Sequence, residues 1–367
     1  MRHHTFRWMV AVGICVVLLQ GLISHAQDKT LTLTLTTEHE IGFECPIAST
    51  QQPGTDTMWV LMDNCRGLQF SLHAYDLKSG EALDTAPLLL DEIDGNVYVI
   101  YNLMPLAFTS NGTLELFAAN RETDDLARFQ IELESGATTP DANADEQLNI
   151  FLRQFSDYPS FTVTFSPDHT RAISYDNDGM VLYVLDLVAE DVLFKLEGTF
   201  SLSAFSPDSQ QLYVGTLDDP DNLEADDSTV SIYSLPGDAV IQSLHLPISL
   251  VYPSPDGRYI AFQTVPNEGG TEQLGLVELA TNAVSPLLKI GVEPHKVLTC
   301  VNSGRNVSDV DFTTSGQMSL QTLEWLADSS GFVTANSYGN QVAGSSRSNI
   351  CFFENSRLRY YQIADKP

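Results

Sequence analysis

Five segments of the chain repeat one short pattern: an apolar strand end, a polar turn and a second apolar strand. They are Phe108–Phe117 (FTSNGTLELF), Phe165–Ser174 (FSPDHTRAIS), Phe205–Val214 (FSPDSQQLYV), Pro253–Phe262 (PSPDGRYIAF) and Trp325–Thr334 (WLADSSGFVT). The turn chemistry is explicit. Proline fixes φ near −65° at the second turn position, Ser and Asp can bond neighbouring backbone N–H groups, and glycine tolerates the left-handed exit. Ser166-Pro167-Asp168, Ser206-Pro207-Asp208 and Ser254-Pro255-Asp256-Gly257 are therefore read as hairpin turns, with Asp168, Asp208 and Asp256 in structural roles.

A third strand follows each hairpin after a polar loop, at Met180–Leu187, Thr229–Leu235 and Gln273–Leu279, and a fourth at Val192–Leu196, Ala239–Leu244 and Ala283–Lys289. Residues 69–77 read as the third strand of an earlier, less regular unit. Four short antiparallel strands recurring every 40 or so residues are the signature of propeller blades. The expected fold is all-β: a single β-propeller of four-stranded blades. Six units fall near residues 38–91, 92–155, 156–197, 198–247, 248–292 and 293–366, with seven blades as the alternative because the last unit holds extra residues before Trp325. Thr30–Thr37 alternates with period two and is expected to pair with the last blade and close the ring. The Pro/Ala/Asp-rich stretch 135–147 reads as a loop leading to a fourth strand at Leu148–Leu152.

The Phe-Ser-Pro-Asp-Gly hairpin resembles the WD-like repeat of TolB-type periplasmic propellers and is similar to the propeller domains of prolyl-oligopeptidase-type enzymes. The likeness is best over residues 155–290. The Trp-Asp ending and Gly-His start of eukaryotic WD repeats are missing. The resemblance implies architecture and leaves activity open, because the fold hosts many functions. The likeness to peptidases stops at the propeller: no Gly-x-Ser-x-Gly elbow and no strand–helix alternation follow the repeats.

The N-terminus reads as an export signal. Arg2 and Arg7 precede an apolar run from Trp8 to Ile23, and Ser24-His25-Ala26 offers small residues before a cut. Residues 1–26 are thus expected to be a signal peptide and 27–367 the propeller domain, with a retained N-terminal anchor as the alternative. After cleavage no membrane span is expected. The full chain carries a net charge of −30, and losing the two signal arginines makes it more negative. Such a surface repels nucleic acid and anionic lipid. An extracytoplasmic location, periplasmic or outside the cell, also fits the cysteines. Removing Cys15 leaves Cys45, Cys65, Cys300 and Cys351, an even number. Three pairings are open. Cys45–Cys65 and Cys300–Cys351 are favoured because each falls within one repeat-sized stretch.

Sites of chemistry are sparse. No phosphate loop, His-Glu-x-x-His or Cys-x-x-Cys occurs. Five histidines of the expected mature chain (His39, His73, His169, His245 and His295) are scattered among different blades. The metal candidates are two acidic loops that could partly supply calcium ligands: Asp176 and Asp178 in one, Asp218, Asp219 and Asp221 in the other. Their bland reading is a hairpin turn and a solvated loop. No cofactor other than calcium is expected. The leading expectation is a non-catalytic binding or scaffold propeller, engaging a protein or glycan through loops 121–125, 135–147, 218–228, 266–272 and 337–348 or at the channel mouth. The alternative is a lactonase-like or other metal-assisted hydrolase with a divalent ion in the central channel.

Overall fold

The computed structural model describes residues 30–42, 45–63, 70–83, 88–89, 98–99, 106–108, 112–120, 123–134, 138–140, 142–157, 159–176, 178–217, 228–246, 250–264, 272–290, 292–302, 305–307, 313–338, 349–353 and 356–366. They form a six-bladed β-propeller. Blade 1 holds Cys45–Gln51, Thr57–Asp63, Phe70–Asp76 and Leu88–Leu89. Blade 2 holds a divided inner edge (Tyr98–Val99 and Leu106–Phe108), then Leu114–Asn120, Leu126–Ile131 and Thr138–Pro140. Blade 3 runs Val163–Phe165, Arg171–Tyr175, Val181–Asp186 and Asp191–Glu197; blade 4 runs Phe200–Phe205, Gln211–Leu217, Ser228–Ser234 and Ala239–Leu246. Blade 5 runs Leu250–Pro253, Tyr259–Thr264 and Gln273–Glu278, with an outer strand split into Ala283–Val284 and Leu288–Lys289.

Blade 6 is closed by the N-terminal strand. Its inner strand is Thr313–Trp325, followed by Gly331–Tyr338 and Ser356–Lys366, and Thr30–Gly42 pairs antiparallel with the last of these, Thr30 opposite Lys366. Leu31 and Leu33 are buried from this strand while the intervening threonines face outward, as a half-buried strand requires. Glu38 ties the seam through Arg357 (2.6 Å) and the buried Arg359 (2.5 Å). The extra residues of the last unit form Val292–Asn302. This strand pairs first with the start of the blade 6 inner strand, then with Asn349–Phe353.

Six buried apolar clusters fill the six seams between neighbouring blades. Leu61 and Leu72 of blade 1 pack with Leu116 and Phe129 of blade 2, and Phe117 of blade 2 packs with Phe165 of blade 3. Val184 meets Leu212 between blades 3 and 4, and Val230 meets Phe262 between blades 4 and 5. Tyr259 meets Trp325 between blades 5 and 6, and Met58 and Val60 meet Val333 and Leu358 where blade 6 returns to blade 1. Fully burying one such side chain contributes roughly 1.5–3 kcal/mol, so the sheet faces hold the ring together. The first strands of neighbouring blades also lie side by side, Cys45–Gln51 against both Thr313–Trp325 and Leu106–Phe108. They line the axis.

One expectation is corrected. Residues 148–152 are not a strand: Ala142–Leu152 is an α-helix, and the outer strand of blade 2 is Thr138–Pro140. Ala, Glu and Gln favour the helix, and Leu148, Phe151, Leu152 and Phe155 pack at helical spacing into the seam with blade 3. Ile150, on the other side, is exposed. Asn149 does part of the work of a fourth strand, accepting from Leu126 N–H at 2.9 Å and donating to its carbonyl at 2.7 Å.

Candidate functional site

Antiparallel blades sort the connections onto two ring faces. Turns joining first to second and third to fourth strands share one face, here the turn face; loops joining second to third strands share the other, the loop face. The Ser-Pro-Asp turns are on the turn face. Ser166 Oγ donates to Asp168 Oδ1 at 2.7 Å and accepts from Arg171 N–H at 2.9 Å; Asp168 Oδ1 also accepts from Thr170 N–H and its hydroxyl. Ser206–Asp208 and Ser254–Asp256 repeat this geometry at 2.6 and 2.8 Å. Burial alone would raise the Asp168 carboxyl pKa; hydrogen bonds from Ser166, Thr170 and Ser209 outweigh it and hold the pKa below the ordinary value. Asp256 is held low in the same way, with Arg258, Ser254 and Ser329 overcoming burial.

The fourth turn residue reaches back to the preceding blade. His169, Ser209, Gly257 and Ser329 all have positive φ there, between 56° and 67°. Ser209 Oγ accepts from Asp168 N–H at 3.2 Å, joining blades 4 and 3, and Ser329 Oγ accepts from Asp256 N–H at 3.2 Å, joining blades 6 and 5. Arg171 strengthens the first of these seams by donating to the Ser209 carbonyl.

In blade 3 the fourth turn residue is His169, and its partner is acidic. Nδ1 lies 2.8 Å from Oε2 of Glu115 in blade 2, with both side chains buried. Gln130 Nε2 donates to the other Glu115 oxygen at 3.2 Å, and Phe117 packs edge-on against the imidazole. The bond to His169 outweighs burial and lowers the Glu115 pKa. His169 Nε2 is buried and has no hydrogen-bond partner among the described residues.

Around the axis, the inner strands of blades 6, 5 and 1 supply polar groups. Ser49 and Thr322 hydroxyls meet at 2.8 Å across the blade 1–blade 6 seam, and the Trp325 indole N–H donates to the Tyr252 carbonyl at 3.0 Å. Glu324, one residue before Trp325, is enclosed by protein at this wall while keeping some accessible surface. Burial pushes its carboxyl up to about 8, against the opposing pull of the Gln51 backbone and the Ser49 hydroxyl. Burial also pushes the Tyr252 hydroxyl upward, and Glu272 adds to the rise. A carboxyl that changes charge near neutrality can bind or release a proton or a cation.

Of the metal candidates, Asp176 and Asp178 fall on the loop face. Asp176 Oδ1 accepts from Met180 N–H (2.8 Å) and Val181 N–H (3.1 Å), which closes a turn whose Gly179 has φ 70°. Asp178 stands in the same turn. Asp218, Asp219 and Asp221 lie outside the described residues, as does Cys65. Cys300 and Cys351 occupy directly opposed positions on paired strands. The histidines stay apart: His73 bonds Ser71, His245 bonds Thr229, His39 packs edge-on to Tyr360, and His295 stands opposite Thr314. Among the described residues no three His, Cys, Asp or Glu side chains gather as a metal-holding group. Sequence reading missed Glu115 and Glu324. Their one signal was an acid set between large apolar residues next to a repeat turn, in Leu-Glu-Leu and Leu-Glu-Trp.

The architecture defines the class as a six-bladed β-propeller of four-stranded antiparallel blades. No family model and no curated relative matches the chain. Solved structures similar to it include TolB from Acinetobacter baumannii, at 15% identity, with 86% of this chain and 68% of that one covered and a TM-score of 0.42. The Myceliophteria thermophila Cps50 (Swd1) β-propeller domain is similar at 10% identity, with 91% and 100% covered and a TM-score of 0.46. Kuenenia stuttgartiensis hydrazine synthase is similar at 14% identity, with 80% and 76% covered and a TM-score of 0.40. The fold assignment rests on the strand pairing above.

Proposed function

We propose that this protein is an extracytoplasmic, non-catalytic propeller that binds a protein or glycan partner through its loop face. Residues 1–26 serve as the export signal. Among the described residues no helix is long and apolar enough to cross a membrane. Two disulfides, Cys45–Cys65 and Cys300–Cys351, belong to the same reading. It is supported by the bonded state of Cys45 and by the opposed register of Cys300 and Cys351, a spacing within bridging reach.

The observation that carries the proposal is the shared origin of the irregular loops. Three of the five candidate recognition loops, 121–125, 218–228 and 266–272, connect second to third strands in blades 2, 4 and 5, and 337–348 follows the end of the second strand of blade 6, so all four start from one face of the ring. The turn face, by contrast, spends its Ser and Asp groups on its own hairpins and seams. The test replaces 218–227 and 265–271 with short Gly-Ser linkers. Capture of a partner from native extracellular fractions is expected to be lost while the melting temperature holds. Unchanged capture, or turnover of a small substrate by the purified protein, would refute it.

A second reading is favoured by one feature, the Glu324 carboxyl at the channel wall with its raised pKa. It could serve a metal-assisted hydrolase. Calcium at Asp176 and Asp178, or at Asp218, Asp219 and Asp221, is a separate proposal on the loop face. Elemental analysis after metal-replete purification tests both; a protein carrying no calcium, zinc or manganese sinks them.

A further inference from the structure

We propose that the outer rim of blades 3 to 5, where third strands turn into fourth strands, is a docking surface for a protein segment that is both cationic and apolar. This surface is distinct from the loop face, being at the other end of the strands. Six large apolar side chains are exposed there in three successive blades: Val188 (79%) and Val192 in blade 3, Val240 (50%) and Ile241 (54%) in blade 4, and Val284 and Leu287 in blade 5. Single exposed hydrophobics need no explanation, but Val192, Val240 and Val284 each stand second in the outer strand of their blade, and a position repeated in three neighbouring blades does.

The backbone repeats with them. In blade 3 the register slips between Val184 and Leu185, leaving Leu193 as the extra residue of the outer strand. In blade 4 it slips between Ile232 and Tyr233, leaving Ile241. In blade 5 the outer strand breaks over residues 285–287. Bulges re-aim side chains at sheet edges, and here the same edge is re-aimed three times. The three rims are joined: Phe194 packs on Tyr233 at 5.9 Å, and Gln242 of blade 4 donates to the Leu279 carbonyl (2.9 Å) and to Asn282 (3.0 Å) of blade 5.

Charge selects the occupant. Exposed Glu190, Asp191 and Asp238 punctuate the apolar run, whereas Lys195 is paired with Glu197 and Arg258 with Glu278. The exposed Lys289 of blade 5 stands away from this rim, at the far end of its outer strand opposite Gln273. A second copy would set acid against acid on a chain of net charge −30. A partner offering Lys or Arg beside apolar residues satisfies both features.

The test uses the full exported protein and two synthetic peptides, one alternating lysine with valine, the other glutamate with valine. Wild type is expected to bind the lysine peptide, more weakly as salt rises from about 0.05 M to about 0.5 M, and to ignore the glutamate peptide. A Val240→Ser/Ile241→Ser variant changes no charge and should bind about tenfold more weakly with an unchanged melting temperature. Absence of lysine-peptide binding, equal binding by the variant, or self-association lost in the variant overturns the proposal. Partner capture through the loop face is expected to survive in the variant, which separates the two surfaces.

Discussion

The imidazole of His169 meets the carboxylate of Glu115 at 2.8 Å across the seam between blades 3 and 2, with both side chains buried. A left-handed turn residue thus places the ring of one repeat into the wall of the preceding one. Breaking a buried pair strands the remaining charge, at a cost of about 3–5 kcal/mol. His169→Ala should therefore lower stability by an amount of this order in urea unfolding. The pH dependence follows from Glu115, whose folded pKa lies below its ordinary 4.5. Its contribution is full above 4.5 and is lost as pH falls through the lowered folded value. The stability gap between wild type and Glu115→Gln should shrink in acid, and a gap constant from pH 7 to pH 3 would contradict the assignment.

Glu324 predicts the opposite slope. Its folded pKa is raised from 4.5 to about 8, so between these values the folded chain holds more protons than the unfolded one. Stability from this group falls as pH rises through that window. Glu324→Gln removes the slope and should make the protein more stable than wild type at pH 9, by at most about 5 kcal/mol. Melts of both proteins from pH 5 to pH 9 should converge at the acid end.

Gly257 occupies the turn position held by Ser209 and Ser329 in blades 4 and 6, and no heavy atom crowds an added Cβ there. Gly257→Ala should cost about 1 kcal/mol through its positive φ alone. Gly257→Ser should recover most of that loss by accepting a hydrogen bond from Asp208 N–H, as Ser209 does from Asp168. Equal melting temperatures for the two variants would show that the seam bond contributes nothing. Gly331 has no such freedom: its added Cβ would collide with the Tyr361 backbone carbonyl in the neighbouring strand. Gly331→Ala should destabilise by several times the Gly257→Ala value.

The disulfide proposal is checked by peptide mapping without reduction. Fragments linking Cys45 to Cys65 and Cys300 to Cys351 are expected, and a Cys300→Ser variant should lose the second alone.

Much of the fold is written locally, which is why it could be read. Ser166-Pro167-Asp168 and its copies form turns by their own chemistry, and the alternation of Thr30–Thr37 marks a half-buried strand wherever its partner lies. The helix at Ala142–Leu152 escaped because its first half, Ala-Asn-Ala-Asp-Glu-Gln, has loop composition, although Leu148, Phe151 and Leu152 carry a helical period. The buried acids were less legible. Glu115 is stabilised by a residue 54 positions away, and Glu324 draws its environment from blade 1 at the other end of the chain. No window of sequence contains both halves of such an environment. The bulged rim was equally hidden, since a register slip is a property of two strands.

The closing strand also sets a clock. Thr30–Gly42 pairs with Ser356–Lys366, so the first of these strands to be synthesised waits until the second has been made. Until then its alternating leucines form an unpaired apolar edge, of the kind that invites aggregation. During synthesis and any passage across a membrane, that edge needs a holdase or a linear, unfolded state. Premature termination anywhere before residue 356 would leave a chain whose first strand has nothing to meet.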